Sequence, residues 1–365
     1  MRPLLSPTAL LATALLLTLV AGCGDVKVFP FPSSSGGASS DTCSLPESCT
    51  VVTLADHRAQ PTTLALDGTH VYWVDRGGDP GTAAILRELK AGGPVEELAA
   101  GQGFVSSLAV DQAHVYWTNL QSPGIDPALV AVMKVPKEGG KAEALSPVQS
   151  NPWGVATGDQ QVFWTNLPPD GAKVSEGEVW TMPAAGGAPV LLAPGQKTPI
   201  SIAVHEKQVY WLNGGIAPGE ESAVMTVPAG GGPSVELAQG PFFPLSLAVD
   251  GESVYFTNNR SAEGLGNVMK VPVAGGEATF IAEEQDHPTS VVSFGDHLYW
   301  TNSGSIEADS RGAIMKLAMD ASAPTTMIGS GTAHPAGLAV DETHVYWTDG
   351  AAGKVLKMNR CCPAK

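Results

Sequence analysis

The chain has few basic residues, and this shortage narrows what it can bind. Its 365 residues include 20 Lys and Arg against 36 Asp and Glu, which gives a formal net charge of −16. Proteins that bind nucleic acid neutralise phosphates with clustered Lys and Arg, and the sequence contains no such cluster. We therefore expect no nucleic-acid partner. The acidity favours solubility, with a cation-binding surface as the alternative.

Catalytic and metal-binding signatures are also missing. The sequence has no Gly-x-Ser-x-Gly elbow, no His-Glu-x-x-His pair, no Walker loop and no EF-hand loop. Glu307 and Asp309 lie two residues apart, but an isolated carboxylate pair in a loop is more often solvated than catalytic. We therefore predict no catalytic residue, no cofactor and no metal site. The sequence leaves open whether the protein is an enzyme.

Residues 1–22 have the pattern of a signal peptide. Arg2 precedes an apolar run over 9–20, whose length suits a signal peptide rather than a membrane span. The run ends in Val20-Ala21-Gly22-Cys23, which resembles the bacterial lipobox. The resemblance implies cleavage before Cys23, with lipid on its thiol and its new amino group. Gly24 in place of Asp favours the outer membrane over inner-membrane retention.

Residues 23–48 have the composition of a tether between this lipid and the folded domain. The segment contains a Ser/Gly-rich run at 33–40, which has too little apolar surface to fold and acts as a flexible spacer. We expect the remainder, 49–365, to form one domain.

A short aromatic motif recurs seven times in that domain. It contains all six tyrosines and six of the eight tryptophans, and its Trp or Phe recurs at intervals of 44 to 47 residues. A period of about 40–50 residues indicates a repeat architecture with one supersecondary unit per repeat. The copies occupy 71–75, 115–119, 162–166, 209–213, 254–258, 298–302 and 345–349.

Each repeat contains four strand-like runs separated by turn signals. A Gly-Gly step follows the third run at 92–93, 139–140, 186–187, 230–231 and 275–276. Glycine supplies the positive φ that tight hairpin turns need. Four strands per unit around an axis make a propeller blade, so we predict an all-β, seven-bladed β-propeller with four-stranded blades.

The two ends of the chain complete this count. The last repeat has three runs, and residues 51–55 match the fourth runs of the other repeats. We predict that 51–55 pair with 354–358 and close the ring, which leaves no spare edge strand.

The cysteines support the same closure. Besides Cys23, the sequence has Cys43, Cys49, Cys361 and Cys362, an even set that indicates disulfides in an exported protein. Three pairings are possible. Because strands three and four of a blade are antiparallel, Cys49 should lie near Cys361 or Cys362. We predict at least one bridge between the 43/49 pair and the 361/362 pair.

The Tyr-Trp-Thr-Asp/Asn core resembles the YWTD repeats of the low-density-lipoprotein-receptor propellers, over about residues 51–358. The step Val271-Pro272-Val273-Ala274-Gly275-Gly276 resembles bacterial lipoproteins of the TolB-like propeller group. Receptor propellers usually have six blades, and this chain has seven repeats. The motif residues of that family are structural, so the resemblance implies architecture and specifies no ligand.

Loop length points to one face of the propeller. The second-to-third loops are long and irregular at 165–178, 212–223 and 301–313, whereas the other hairpin turns are short; we call these faces the loop face and the tight-turn face. Variable loops on a rigid scaffold often carry function. The residue before each innermost strand should line the central mouth on the loop face. These mouth residues are Gln60, Phe104, Asn151, Thr198, Phe243, His287 and His334.

We predict ligand contacts from Gln60, Asn151, His287, His334 and the nearby Trp153. Gln60, His287 and His334 fall on three consecutive blades, because blade seven abuts blade one. The mixture of polar and aromatic groups suits a ligand site. The alternative is that these polar residues merely solvate a wet channel. Six mouth residues precede proline, which should hold them extended.

We expect a non-catalytic binding module that recognises a cell-envelope protein or a small ligand and is held at the membrane by its lipid. A propeller lyase or hydrolase with its site at the mouth is the alternative, and a purely structural scaffold is a third. Fold analogy does not choose between them.

Overall fold

The computed structural model describes residues 49–79, 81–120, 126–168, 176–214, 222–240, 243–259, 265–304, 312–320 and 325–362, with the backbone alone at 128 and 325–331. Twenty-eight strands form seven antiparallel sheets of four strands each. The fold is therefore the predicted seven-bladed β-propeller. Among the described residues, no helix is long and apolar enough to cross a membrane.

Blades one to six extend outward from the axis in chain order, and blade seven runs from β26 out to β28 and ends on β1. The innermost strands of neighbouring blades contact one another around the centre. Blade one is β2 Pro61–Leu66, β3 His70–Asp75, β4 Ala83–Leu89 and β5 Glu96–Gln102; blade two is β6 Phe104–Val110, β7 His114–Leu120, β8 Ala131–Pro136 and β9 Glu143–Ala144; blade three is β10 Pro152–Gly158, β11 Gln161–Asn166, β12 Gly177–Pro183 and β13 Val190–Gln196; blade four is β14 Pro199–His205, β15 Gln208–Asn213, β16 Ser222–Pro228 and β17 Val235–Gly240. Blade five is β18 Pro244–Val249, β19 Ser253–Asn258, β20 Leu265–Pro272 and β21 Thr279–Asp286; blade six is β22 Pro288–Phe294, β23 His297–Asn302, β24 Gly312–Ala318 and β25 Thr325–Thr332; blade seven is β26 Pro335–Val340, β27 His344–Asp349, β28 Lys354–Asn359 and β1 Val52–Ala55.

The N-terminal strand closes the ring as predicted. β1 pairs antiparallel with β28, with Val52 opposite Lys357 and Thr53 opposite Leu356. A disulfide joins Cys49 to Cys362 across 313 positions of sequence, which confirms the predicted link between the two ends. Cys361 is also disulfide-bonded, and Cys43 lies outside the described residues.

The Gly-Gly turns follow the predicted pattern with one shift. The paired glycines of blades one, two, three and five have positive φ, a region that glycine occupies without steric cost. In blade four the positive-φ pair is Gly231 and Gly232, one residue later than the sequence indicated, because Gly230 belongs to a run of three. The fourth strand of blade two is also shorter than expected and keeps only Glu143–Ala144.

The motif aromatics pack between blades. The six motif tryptophans are at most 1% exposed. Neighbouring residues on a strand point to opposite faces of the sheet, so the Tyr and the Trp of one motif contact different neighbouring blades. Tyr72 of blade one shares a cluster with Trp117 of blade two, and Tyr346 of blade seven shares one with Trp73 of blade one. Aromatic burial of this kind is the largest apolar contribution that one side chain can make.

The threonine of the motif adds a polar link between blades. Its hydroxyl donates to a carbonyl of the next blade's innermost strand, as from Thr118 to Trp153 at 2.7 Å and from Thr257 to Thr289 at 2.9 Å. That carbonyl lies where the register of the innermost strand shifts by one residue. A β-bulge leaves one residue unpaired in its own sheet, so the threonine satisfies a carbonyl that the ladder leaves free.

On the tight-turn face, the motif tyrosine reaches an aspartate five residues earlier. Tyr72, Tyr116, Tyr255 and Tyr346 donate at 2.7–3.0 Å to the aspartates of the first-to-second turns, and burial together with that carboxylate raises the tyrosine pKa. In two places a lysine of the next blade completes the group. Lys137 contacts Asp67 and Lys90 contacts Asp341, each at 2.8 Å between largely buried side chains.

The Asp341 ion pair should make stability depend on acid. Burial raises the pKa of Asp341, but Lys90 and the turn N–H groups of Thr343 and His344 outweigh it and lower the pKa to about 2. A folded-state pKa below the unfolded one stabilises the protein above about pH 4, and this contribution is lost as pH falls towards 2. We expect Asp341→Asn to cost about 2 kcal/mol at neutral pH and to remove that part of the acid-dependent loss. Denaturant unfolding from pH 7 to pH 2 measures both. The exposed Asp320→Asn is the control, and an unchanged acid slope in Asp341→Asn would contradict the assignment.

Candidate functional site

The mouth on the loop face is built from two alternating sets of residues. In six blades the carbonyl of the mouth residue accepts a hydrogen bond from the N–H of the residue that follows the motif, at 2.9–3.3 Å; in blade two the corresponding residues, Phe104 and Leu120, are strand partners. Sequence reasoning missed this second set, although its position directly after the motif is a signal that could have found it. These post-motif residues are Arg76, Leu120, Leu167, Gly214, Asn259, Ser303 and Gly350.

The last residue of the motif fixes the backbone of the mouth residue. Asp75 accepts from the N–H of Gln60 at 2.8 Å and of Ala59 at 3.1 Å. In blade seven, Asp349 accepts from the N–H groups of His334 and Ala333 in the same way. A charged acceptor strengthens such bonds, so the motif Asp of blades one and seven orients the chain as it enters the innermost strand. In blades two and five the motif Asn accepts from Gly103 and Phe243 in a similar way.

A glutamine that is buried or half-buried supports this arrangement in four blades. It lies fifteen residues before the motif Trp, and its Oε1 accepts from the indole Nε1, as from Trp211 to Gln196 at 3.1 Å. In three of these blades the same oxygen also accepts from the Nδ2 of the motif Asn. The four glutamines are Gln102, Gln149, Gln196 and Gln285.

The blades without this glutamine differ in a consistent way. Blades one and seven end the motif in Asp, and the indole Nε1 atoms of Trp73 and Trp347 have no hydrogen-bond partner among the described residues. Blade five has Phe256, which carries no N–H, and its Asn258 donates to Asn267 at 3.1 Å instead. The residues fifteen before these three aromatics are Arg58, Thr332 and Pro241, so the motif and its distant partner change together.

Blades six, seven and one form the polar sector of the mouth: His287, Ser303, His334, Gly350 and Gln60. Nδ1 of His287 lies 2.8 Å from Oδ1 of Asp286, and Nδ1 of His334 lies 2.8 Å from the carbonyl oxygen of Ser303. A carbonyl and a carboxylate only accept, so both Nδ1 atoms carry the proton and each Nε2 is left as an acceptor when the ring is neutral. Ser303 joins blades six and seven, because its N–H and hydroxyl donate to the carbonyl of His287 in blade six while its own carbonyl accepts from His334 of blade seven.

Apolar side chains of blades two, three and four pack together as the apolar sector, beside the polar mouth residues Asn151 and Thr198 of the same blades. They are Phe104, Leu120, Trp153, Leu167 and Ile200. The rings of Phe104 and Trp153 are stacked with centroids 6.2 Å apart. Arg76 joins the two sectors, because its guanidinium lies 4.4 Å from the centroid of Phe104 while its N–H donates to the carbonyl of Gln60. The mouth therefore has a hydrogen-bonding side and an aromatic side with a cation between them.

The predicted site residues reach the mouth to different degrees. Gln60, Asn151, His287 and His334 are partly exposed there, whereas Trp153 is 7% exposed and its ring is largely covered by its neighbours. The cysteines Cys49, Cys361 and Cys362 lie at the ring closure. Cys23 and Cys43 lie outside the described residues, as do 169–175, 215–221 and 305–311 of the long loops. Ligand contacts from the mouth residues stay a prediction.

Proline does not hold every mouth residue extended. Thr198 has φ of 49° and His287 has φ of 53°, so the prediction was wrong for these two. A non-glycine residue in the left-handed region is strained. The hydrogen bonds of His287 to Asp286 and Ser303 hold it in this conformation. No group of three His, Cys, Asp or Glu side chains that could hold a metal ion occurs in the described ranges.

No protein-family model matches this chain, and no curated protein matches it in sequence. Solved structures match in fold. Virginiamycin B lyase from Staphylococcus aureus, solved as a catalytically inactive histidine-to-alanine variant with quinupristin, has 14% identity and a TM-score of 0.63, covering 86% of this chain and 99% of that one. The WD40 propeller of Doa1 has 13% identity and a TM-score of 0.61, covering 85% and 96%. A chain of the nidogen/laminin complex has 18% identity and a TM-score of 0.50, covering 70% and 92%.

Removing one buried glutamine tests how the mouth is supported. Gln285→Met keeps the size of the side chain but leaves the N–H groups of Trp300 and Asn302 without their acceptor. We expect a loss of about 2–4 kcal/mol in the free energy of unfolding, since each unsatisfied buried donor costs about 1–3 kcal/mol. Denaturant unfolding measures it, with the exposed Glu97→Met as the control. A loss no larger than that of the control would show that the glutamine is dispensable.

Proposed function

We propose that this protein is a non-catalytic recognition module of the bacterial cell envelope that binds one amphipathic ligand, a small molecule or a protein segment, in its mouth. The observation that carries the proposal is the division of the mouth into a polar and an apolar sector. The Nε2 atoms of His287 and His334 and the amide of Gln60 supply hydrogen bonds on one side. Phe104 and the groups around it supply apolar contact on the other. Ligand sites combine these two kinds of contact.

The way these side chains are held supports binding. His287 and His334 each direct Nδ1 at a fixed acceptor, so their rings are oriented before a ligand arrives. Preorganised groups lose less conformational entropy on binding than free ones. Arg76 over the face of Phe104 places a positive charge between the sectors, which favours a ligand with an anionic or strongly polar group at its centre.

The anchor and the location are part of the proposal. The lipobox-like residues 20–23 support lipid attachment at Cys23, and the tether 23–48 would hold the propeller away from the bilayer. Expression in a Gram-negative host with a radiolabelled fatty acid tests this. We expect the Cys23→Ser protein to lose the fatty-acid label and to leave the membrane fraction. The Cys43→Ser protein should keep both the label and its place in that fraction. Label that persists in Cys23→Ser, or membrane binding without label, would refute the anchor.

Paired variants on the two faces test the binding site. We would screen short peptides and saccharides by ligand-observed NMR and then compare His287→Ala/His334→Ala with His114→Ala/His297→Ala, which removes two histidines from the tight-turn face. We expect the mouth pair to weaken binding about tenfold or more, because two hydrogen bonds of about 1 kcal/mol or slightly more are lost. The control pair should have no effect.

Phe104→Ala should weaken the same ligand through the apolar sector. Equal affinities in all three variants, or a loss confined to the control pair, would place the site elsewhere.

A second candidate function is a lyase with its site at the same mouth. The specific observation is the pair of His287 and Asp286, since a carboxylate on Nδ1 orients an imidazole whose Nε2 can act as a base. The similar fold of virginiamycin B lyase, which a histidine substitution inactivates, supports testing this. Quinupristin incubated with the protein and followed by chromatography should disappear if the lyase hypothesis is right, and should no longer do so with His287→Ala. Unchanged quinupristin favours the binding module.

A further inference from the structure

A cavity lies on the face opposite the mouth, between blades three and four on the tight-turn face. Its volume is about 170 Å³. The residues around it come from the first-to-second turns of both blades, from the motif of blade three and from the turn after the third strand of blade four. They are Gly158, Asp159, Gln161, Phe163, Val204, Lys207, Ala229 and Gly230. We call this space the junction cleft.

The junction cleft exists because three residues at this junction have smaller side chains than the corresponding residues at the junction of blades one and two. At the junction of blades one and two, the space is filled by the phenol of Tyr72, the carboxylate of Asp67 and the ammonium of Lys137. The residues at the corresponding positions of blades three and four are Phe163, Gly158 and Ala229. The hydroxyl, the carboxylate and the ammonium are therefore all missing from this junction. Because all three polar groups are absent together, none of them is left buried and unpaired, and the junction keeps an apolar space.

The size and walls of the junction cleft suit a six-membered ring. Phe163 forms the fully buried floor, and Val204 and Ala229 form the sides. An apolar protein cavity of about 150 Å³ binds benzene and stays dry without it, so about 170 Å³ accommodates a phenyl or phenol group.

The opening of the junction cleft carries one charge of each sign. Asp159 and Lys207 are both exposed, and neither forms an ion pair with any residue in the described part of the chain. Gln161 also lines the cleft, but its Oε1 accepts from Thr181 at 2.8 Å. Asp159 and the next residue, Gln160, have φ of 49° and 61°. Two successive residues of this turn therefore lie in the left-handed region, which is strained for residues other than glycine.

We infer that the junction cleft is a binding site for a free aromatic α-amino acid. The ring would enter the apolar space that the tyrosine, aspartate and lysine fill elsewhere. The α-ammonium would lie near Asp159 and the α-carboxylate near Lys207. A ligand with only one of these charges would meet one complementary and one like charge, so the zwitterion fits best. This site is independent of the mouth and of the function proposed for it.

Titration with L-phenylalanine tests the inference. In methyl-labelled protein, the methyl signals of Val204 and Ala229 should shift, whereas those of the post-motif residues Leu120 and Leu167 at the mouth should stay in place. Ala229→Lys places a lysine at the position of blade four that corresponds to Lys137 of blade two. This variant should lose the shift of the Val204 methyl signal or bind L-phenylalanine at least tenfold more weakly. Ala184→Lys is the matched control, because it introduces the same charge at the corresponding position of blade three, beside the occupied junction of Tyr116 and Asp111.

Two probes that each lack one charge of L-phenylalanine, 3-phenylpropionate and phenethylamine, test Lys207 and Asp159 separately. Lys207→Gln should weaken L-phenylalanine and 3-phenylpropionate roughly two- to fivefold, as expected for an exposed ion pair, and should not weaken phenethylamine. Asp159→Asn keeps a residue that tolerates left-handed backbone and should weaken L-phenylalanine and phenethylamine but not 3-phenylpropionate. The inference is overturned if L-phenylalanine leaves the Val204 and Ala229 methyl signals unshifted. It is equally overturned if Ala229→Lys and Ala184→Lys bind alike, or if neither charge variant changes the order of the three probes.

Discussion

The structure depends on the placement of a tyrosine and a tryptophan side by side on the second strand of nearly every blade. Adjacent residues on a strand face opposite sides, so one motif supplies an aromatic group to each of two junctions. Tyr116 joins the cluster of Trp164 in the following blade, and Trp117 joins that of Tyr72 in the preceding one. Each blade therefore contributes an aromatic side chain to the junction on either side of it. The apolar core is a ring of such junctions between blades. Closing the ring buries the aromatic groups of the first and last blades against each other, and β1 and the Cys49–Cys362 disulfide hold the two ends together.

Fold and closure could be predicted because they rest on local patterns that repeat. The spacing of the aromatic motif determined the number of blades, and the spare run at 51–55 indicated how the ring closes. The supports of the mouth could not be predicted in the same way. The contact of Gln196 with Trp211 connects residues of two different strands in different blades, so the pattern of a single blade does not reveal it, although the fifteen-residue spacing recurs in four repeats. The left-handed conformation of His287 contradicts the usual effect of a following proline, because side-chain hydrogen bonds with Asp286 and Ser303 hold it.

The departures from the repeat carry more information about function than the repeat itself. Some are compensated within the core, as when Phe256 removes an indole N–H from a blade that has no glutamine to accept it. Other departures from the repeat are not compensated within the core. The mouth residues vary in polarity from blade to blade, although in six blades their carbonyls accept the same backbone hydrogen bond. At the junction of blades three and four the losses are joint and leave the junction cleft.

The central claim is that the mouth, with its two sectors, is the surface built for binding. A crystal structure of the protein soaked in a mixture of small amphipathic probes, such as phenol, imidazole and acetamide, tests this without knowledge of the natural ligand. Our account predicts probe density in the mouth between Phe104 and His334, with polar ends towards Gln60 and the histidines. Density that gathers instead on the exposed outer strands, around Val190 and Phe280, with an empty mouth would contradict it.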